Sequence, residues 1–400
     1  MKPVIITIVL IITGTSSLFA QDENRFQLTT FNSQLKEIEL NNTTLKALRQ
    51  TVDAQKLENK TGTGLTNPEV GFNYLWGNPG ETGNRIDVQV KQTFDIPSIS
   101  GMKNRVASGQ NNLLDLQYEA ARMDILLEAK QYCIELIYCN AFRRELYLRL
   151  NHAEIIAESY KSRLDKGDVN RLEYNKAQLN LATVQGEIAR VEVERNALLS
   201  QLKRLNGGIN IVLDNELFDP ISFPSDFEEW YAQVAQKNPI LEYARQETEV
   251  GKKQVTLSKV RGLPSFSVGY MIEKAVGQQY QGIMFGISVP LWENKNRIKQ
   301  AKASVVASEA REIDNRQQLH SQLQILYYRT SGLKTISETY RQSLAIANNA
   351  DLLKKALDTG EISLLNYIVE LGLYYDMINQ TLEAERDFQK AFAELTIVEL

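Results

Sequence analysis

Proline is absent from two long stretches of this 400-residue chain, between 98 and 219 and between 291 and 400. A proline inside a helix removes a hydrogen bond and clashes with the preceding turn, so these stretches are free to form long uninterrupted helices. Cysteine and histidine are scarcer still, two of each, which leaves little for a disulfide framework, thiol catalysis or a histidine-rich metal centre. Charge of one sign is also lacking: 45 basic and 49 acidic residues give a formal net charge of -4, with no electrostatic footing for nucleic acid. Beyond the first twenty residues no run reaches the roughly 18 apolar residues of a membrane helix. Neither a phosphate loop nor a Ser-His-Asp arrangement is visible. No catalytic residue, cofactor or metal ligand is expected.

What is present begins with a targeting pattern. Lys2 precedes an apolar run from Val4 to Ile12, broken by Thr7, and then Gly14-Thr15-Ser16-Ser17-Leu18-Phe19-Ala20. Residues 1–20 read as a secretory signal cleaved after Ala20. No cysteine follows that point, so a lipid anchor there is not expected.

The rest reads as an internal duplication. Asn42, Leu45, Arg49 and Gln50 recur 196 positions on as Asn238, Leu241, Arg245 and Gln246, and Pro68 and Tyr74 recur as Pro264 and Tyr270. After a shift of three or four positions, Pro97 matches Pro290, Lys103-Asn104-Arg105 matches Lys295-Asn296-Arg297, and Leu164, Gly167, Leu172 and Tyr174 match Leu357, Gly360, Leu365 and Tyr367. A first repeat over 21–207, a linker over 208–225 and a second repeat over 226–400 are expected. Each repeat reads helix, two strands, long helix, turn, helix. The long helices are expected near 101–166 and 296–359, with return helices near 169–205 and 363–398. Leu113, Leu116, Ala120, Met123, Leu127, Ile134, Ile137 and Ala141 follow a coiled-coil spacing interrupted by Lys130. Glu-Lys and Asp-Arg pairs along these helices read as solvated faces.

In the strands, Val70, Phe72 and Tyr74, then Ile86, Val88 and Val90, alternate with polar or small residues. Phe266, Val268 and Tyr270, then Ile283, Phe285 and Ile287, repeat the pattern. Strands of about 9–11 residues suit a tilted bilayer crossing, which would make these twelve residues lipid-facing. A soluble sheet packed on helices has the same alternation. Four strands cannot close a membrane barrel, but three copies supply twelve. Trp76 and Trp292 are candidate interfacial anchors, or caps on a hydrophobic core. The segments 77–84 and 274–281 read as polar loops. At the helix ends, Asp165-Lys166-Gly167-Asp168 and Asp358-Thr359-Gly360-Glu361 read as tips: glycine takes the left-handed conformation and the acidic residue caps the next helix. In a trimer, six such tips would form an acidic ring.

The order of these features resembles the TolC family of outer-membrane efflux channels. The residues carrying the likeness are Asn67-Pro68-Glu69-Val70, Pro97 and Pro290, the two glycine-bearing tips, and Leu202, Leu205, Asn206 and Gly207 at mid-chain. It implies a mainly α fold with a β-barrel portion: a homotrimer with twelve strands in the outer membrane of a Gram-negative bacterium and a helical tunnel through the periplasm. It implies as partners outer-membrane lipid, a periplasmic adaptor and an inner-membrane pump. Asp165, Gly167, Asp168, Asp358, Gly360 and Glu361 are then the candidates for adaptor contact and aperture. The segments 72–77 and 92–97 are also similar to members that accompany heavy-metal cation pumps, so heavy-metal cations or small toxic compounds are the expected cargo. The rival readings are a soluble periplasmic coiled-coil scaffold or adaptor, and a peptide-secretion duct. Cys133 and Cys139, about 9 Å apart along one helix, read as free thiols. His152 and His320, on different helices, read as unrelated to any shared metal.

Overall fold

The computed structural model describes residues 22–78, 80, 82–292, 294–346 and 350–400. The expected signal segment, 1–20, lies outside the described residues. The elements run α1 (Asp22–Asn41), α2 (Thr43–Lys60), β1 (Glu69–Leu75), β2 (Arg85–Phe94), α3 (Pro97–Asp165) and α4 (Arg171–Leu205), then α5 (Phe227–Lys237), α6 (Pro239–Val260), β3 (Ser265–Ala275), β4 (Gln278–Ser288), α7 (Arg297–Ile346), α8 (Ala350–Asp358) and α9 (Leu364–Leu395). Helix α3 runs 69 residues without a break. The helix expected over 296–359 is described as α7 and α8, with 347–349 outside the described residues. No helix among the described residues is long and apolar enough to cross a membrane.

The opening helix of each expected repeat is two helices, not one. The break falls at Asn42 and again at Asn238. Asn238 is non-helical (φ -71, ψ 117), and its side chain accepts from the N–H groups of Ile240 and Leu241. Pro239 forces that geometry, because a residue before proline is driven out of the α region. Both asparagines are buried.

The four strands form one antiparallel sheet in the order β1-β2-β3-β4. β1 has 7 residues rather than the expected 9 to 11; Pro68 precedes it, and the chain leaves the sheet at Trp76. The segment expected as a second polar loop, 274–281, is mostly strand. Only Val276 and Gly277 lie between β3 and β4, both at positive φ (49 and 75), the pattern of a two-residue type I′ hairpin.

The described residues divide into two compact units that cut across the expected repeats: those of 22–43, 128–222 and 336–390 in the first, those of 44–127, 223–335 and 391–400 in the second. In the first unit, the mid-chain asparagine is a structural knot. Asn206 is fully buried and ends α4; it accepts from Asn41 Nδ2 at 3.0 Å and donates to Glu37 Oε1 at 2.9 Å. Gly207 beside it has φ +63, and a Cβ there would lie 2.5 Å from the Asn41 carbonyl oxygen, so no other residue fits. In the second unit, Phe227, Val234, Leu319, Leu323, Tyr327 and Leu395 form one core cluster, and Ile99, Val106, Val250 and Leu257 another.

Cys133 and Cys139 are free and buried in the first unit. Desolvation pushes both thiols up to about 12. Since the thiolate is the nucleophile, the folded protein at about pH 8 is expected to resist alkylation by iodoacetamide, and unfolding in guanidinium to expose both thiols. Rapid labelling of the native protein, read by mass spectrometry, would contradict this burial.

Candidate functional site

The sheet is two-faced by register. Val70 pairs with Val90, Phe72 with Val88, and Tyr74 with Ile86. Val88 and Val90 face Ile272 and Tyr270 across β2 and β3, and Phe266, Val268 and Tyr270 face Ile287, Phe285 and Ile283. All twelve sequence-predicted strand residues therefore share one face. That face is uncovered: Val70, Phe72, Ile283, Phe285 and Ile287 are each about two-thirds or more exposed. Gln92, opposite Val268, interrupts it, and Lys274 and Gln279 bound it at the β3–β4 turn. Large exposed apolar patches on a monomer mark an interaction surface. Trp76 follows β1 at the hairpin end and Trp292 follows β4 at the helix end, both over 80% exposed. They therefore stand at opposite ends of the band and cap no core.

The other face is polar and internally paired. Asp87 is buried and accepts from Arg85 Nε at 2.8 Å, Arg85 also reaches Glu273 at 3.1 Å, and Lys91 pairs with Glu69 at 2.7 Å. The two outer strands, β1 and β4, each leave one edge without a partner strand in the sheet.

The helix tips are built alike. Gly167 and Gly360 both have φ +77. The N–H of Asp168 donates to Arg163 O and that of Gly167 to Leu164 O; Glu361 and Gly360 donate to Ala356 O and Leu357 O in the same way. This is the Schellman arrangement, which needs the left-handed residue glycine supplies. The expected acidic caps are not caps. Asp168 and Glu361 complete the preceding turn, and the side chains capping the next helices are Asn170, accepting from Glu173 N, and Ser363, accepting from Asn366 N. A glycine turn needs two residues before the next helix can start, which moves the cap along. Asp165, Gly167, Asp168, Asp358, Gly360 and Glu361 are all exposed. Behind both tips a cluster of Tyr160, Ala177, Leu364, Tyr367 and Leu371 packs α3, α4 and α9 together. A cavity of about 550 Å³ opens beside the second tip, lined by Arg163, Glu173, Lys354, Asp358 and Tyr367 among others.

One charged residue departs from the solvated-face reading of the helices. Arg149 is 5% exposed. Its Nη2 donates to Asn379 Oδ1 at 2.7 Å and to the Tyr375 carbonyl, its guanidinium lies 4.4 Å from the Tyr375 ring centroid, and its Nε has no hydrogen-bond partner. Burial lowers its pKa, with Tyr375 and Glu187 partly opposing. Nothing in the sequence flagged it. His152 meets the Tyr375 hydroxyl at 3.1 Å, and His320 packs edge-on against Phe227 and Tyr231. Among the described residues no group of three His, Cys, Asp or Glu is placed to hold a metal ion.

No protein family model and no curated protein matches this sequence. Solved structures do. The CmeC outer membrane channel of Campylobacter jejuni superposes with a TM-score of 0.71 at 13% identity, over 92% of this chain and 85% of that one. The open state of the MtrE outer membrane channel of Neisseria gonorrhoeae gives 0.74 at 13% identity, over 92% and 88%. CusC, whose structures concern folding and transmembrane channel formation, gives 0.74 at 14% identity, over 92% of each. Nearly the whole of this chain therefore has the fold of these membrane channels, mainly α with a four-stranded antiparallel sheet in each chain.

Proposed function

We propose that three copies of this chain form a passive exit duct in the outer membrane of a Gram-negative bacterium, the outermost part of a tripartite efflux system. The observation that carries this reading is the sheet, with its exposed apolar band, its paired polar face and its two open edges. An unprotected edge on an exposed apolar sheet is an aggregation hazard in water. In a bilayer every backbone group has to be paired, and only closure of the sheet achieves that. β1 and β4 meeting in turn around three copies give twelve strands, with the apolar band toward lipid and the Asp87–Arg85–Glu273 face toward a wet lumen.

The helices support self-association as well. On α4, Ala177, Val184, Val191, Leu198 and Leu205 are buried at intervals of seven, while Leu172, Leu179 and Val193 share a second, exposed heptad position that Gly186 interrupts. A helix with two apolar seams packs against neighbours on both sides. The exposed tips and the cavity beside Gly360 are the surface we assign to a periplasmic adaptor, whose binding would favour an open tip by differential affinity. The pump and the cargo lie in other molecules. Heavy-metal cations or small toxic compounds are the cargo we propose, on the likeness of 72–77 and 92–97 alone.

Fractionation tests the reading. The protein is expected in the outer-membrane fraction as a detergent-requiring oligomer that dissociates to a 45.4 kDa chain, less its signal segment, only on heating. Release as a soluble species by osmotic shock would instead establish the periplasmic scaffold.

A further inference from the structure

We propose that a cavity where the strands meet the helices binds a phosphate group, carried either by a phospholipid headgroup or by a free phosphate anion. The cavity, of about 290 Å³, is lined by Lys103, Arg261 and Arg297, by Asp95, and by Ser265 and Ser288, which pair across β3 and β4. Lys103 is neutralised by Asp95 at 2.9 Å. Neither arginine has an acidic partner among the described residues. Arg261 makes no side-chain hydrogen bond or ion pair among the described residues, and Arg297 donates only to Asn294 Oδ1 at 3.1 Å. Asn294 in turn donates to the Arg261 carbonyl at 2.8 Å, tying the end of α6 to the start of α7.

With Asp95 already paired to Lys103, two half-buried guanidinium groups leave the cavity with an excess of positive charge that a bound anion would balance. Arg297 is also the first residue of α7, a helix of 50 residues, whose N-terminus adds positive potential. Asn296, at φ +65, shapes the turn that leads into it. Two guanidinium forks and two hydroxyls match the oxygens of a phosphate better than the two of a carboxylate. Lys103 and Arg297 come from the Lys-Asn-Arg triplets that recur at the start of both long helices, a pattern the duct itself does not use.

Ser265 and Ser288 alternate with Phe266 and Ile287 along their strands, so they lie on the polar face of the sheet, opposite the apolar band. A free anion reaches them from the wet side; a phospholipid reaches the arginines only where its headgroup passes round the strand ends. The lipid source rests on the membrane reading; the anion site does not.

The test uses the full-length oligomer purified in detergent. Native mass spectrometry after addition of phosphatidylglycerol, and calorimetry with inorganic phosphate, are run on the unaltered protein, on Arg261→Gln and on Arg261→Gln/Arg297→Gln. Lipid adducts that fall at least about tenfold in the double variant, and that inorganic phosphate displaces, assign the site to a headgroup. Phosphate binding without lipid adducts, lost to the same extent, assigns it to the free anion. Among the described residues Arg261→Gln breaks no side-chain hydrogen bond or ion pair, and an unchanged yield of oligomer in that variant separates weakened binding from a folding effect. Binding of neither probe, or equal binding in all three proteins, overturns the proposal. A protein found outside the outer membrane would remove the lipid source while leaving the inorganic phosphate result to decide the site.

Discussion

Arginine in place of Phe285 is expected to deplete the outer membrane of the heat-modifiable oligomer, whereas arginine at the adjacent Met284 leaves most of it in place. The two residues are neighbours on β4 and point to opposite faces. Phe285 pairs with Val268 in the exposed apolar band and is 79% exposed; Met284 pairs with Gly269 on the polar face. A charged side chain near the middle of a lipid-facing strand costs about 2–4 kcal/mol, and a trimer would carry it three times. On the wet side the same charge joins a face that already holds Arg85 and Lys91. Val88→Arg, on the central strand β2, is expected to behave like Phe285→Arg. The measurement is the fraction of oligomer in purified outer membranes. If Phe285→Arg and Met284→Arg assemble equally well, the assigned strand orientation is wrong, and a soluble sheet becomes the better account.

That contrast was legible in the sequence because a strand has a period of two and the two environments differ sharply in polarity. The alternation of Val70, Phe72 and Tyr74, and its echo in Phe266, Val268 and Tyr270, identified the shared face before any register was known. The tips were legible for a similar reason: a glycine after a long helical pattern has one inexpensive use. Other features depend on neighbours that no local pattern reveals. Arg149 sits among ordinary helix residues, and only the packing of α3 against α9 through Tyr375 and Asn379 takes it out of water. The break at Asn238 was missed although a proline follows it, and the one at Asn42, followed by Thr43, has no such local mark. The capping roles of Asn170 and Ser363 were missed because an acidic residue after glycine looked like the better cap. The cavity holding Arg261 and Arg297 draws on α3, α6, α7 and both strands of a hairpin. No single stretch of sequence contains it.

Valine at both Gly167 and Gly360 is expected to abolish export while leaving the oligomer intact. Each glycine sits at φ +77, and nothing lies within 4 Å of where a Cβ would stand. Space is therefore no obstacle, and the penalty is conformational. An L-residue pays about 1–2 kcal/mol in the left-handed region, and a β-branched one is a genuine outlier there. The strained turn would give up its two Schellman bonds, for instance Asp168 N to Arg163 O. That displaces the exposed acidic residues of the tip from any ring they form. The sheet belongs to the other compact unit, and the seams of α4 run well beyond the tips, so assembly has other supports. Asparagine, which tolerates the left-handed region, is the matched control and should keep most of the activity. The readout is whether each variant restores growth to a deletion strain challenged with divalent metals, dyes and bile salts, alongside the amount of heat-modifiable oligomer. Valine variants that restore growth fully would end the assignment of these tips as aperture and adaptor contact. A parallel loss of oligomer would show that the two glycines serve folding alone. Export lost in valine, kept in asparagine, with oligomer unchanged in both, is the pattern a gate at the tips requires.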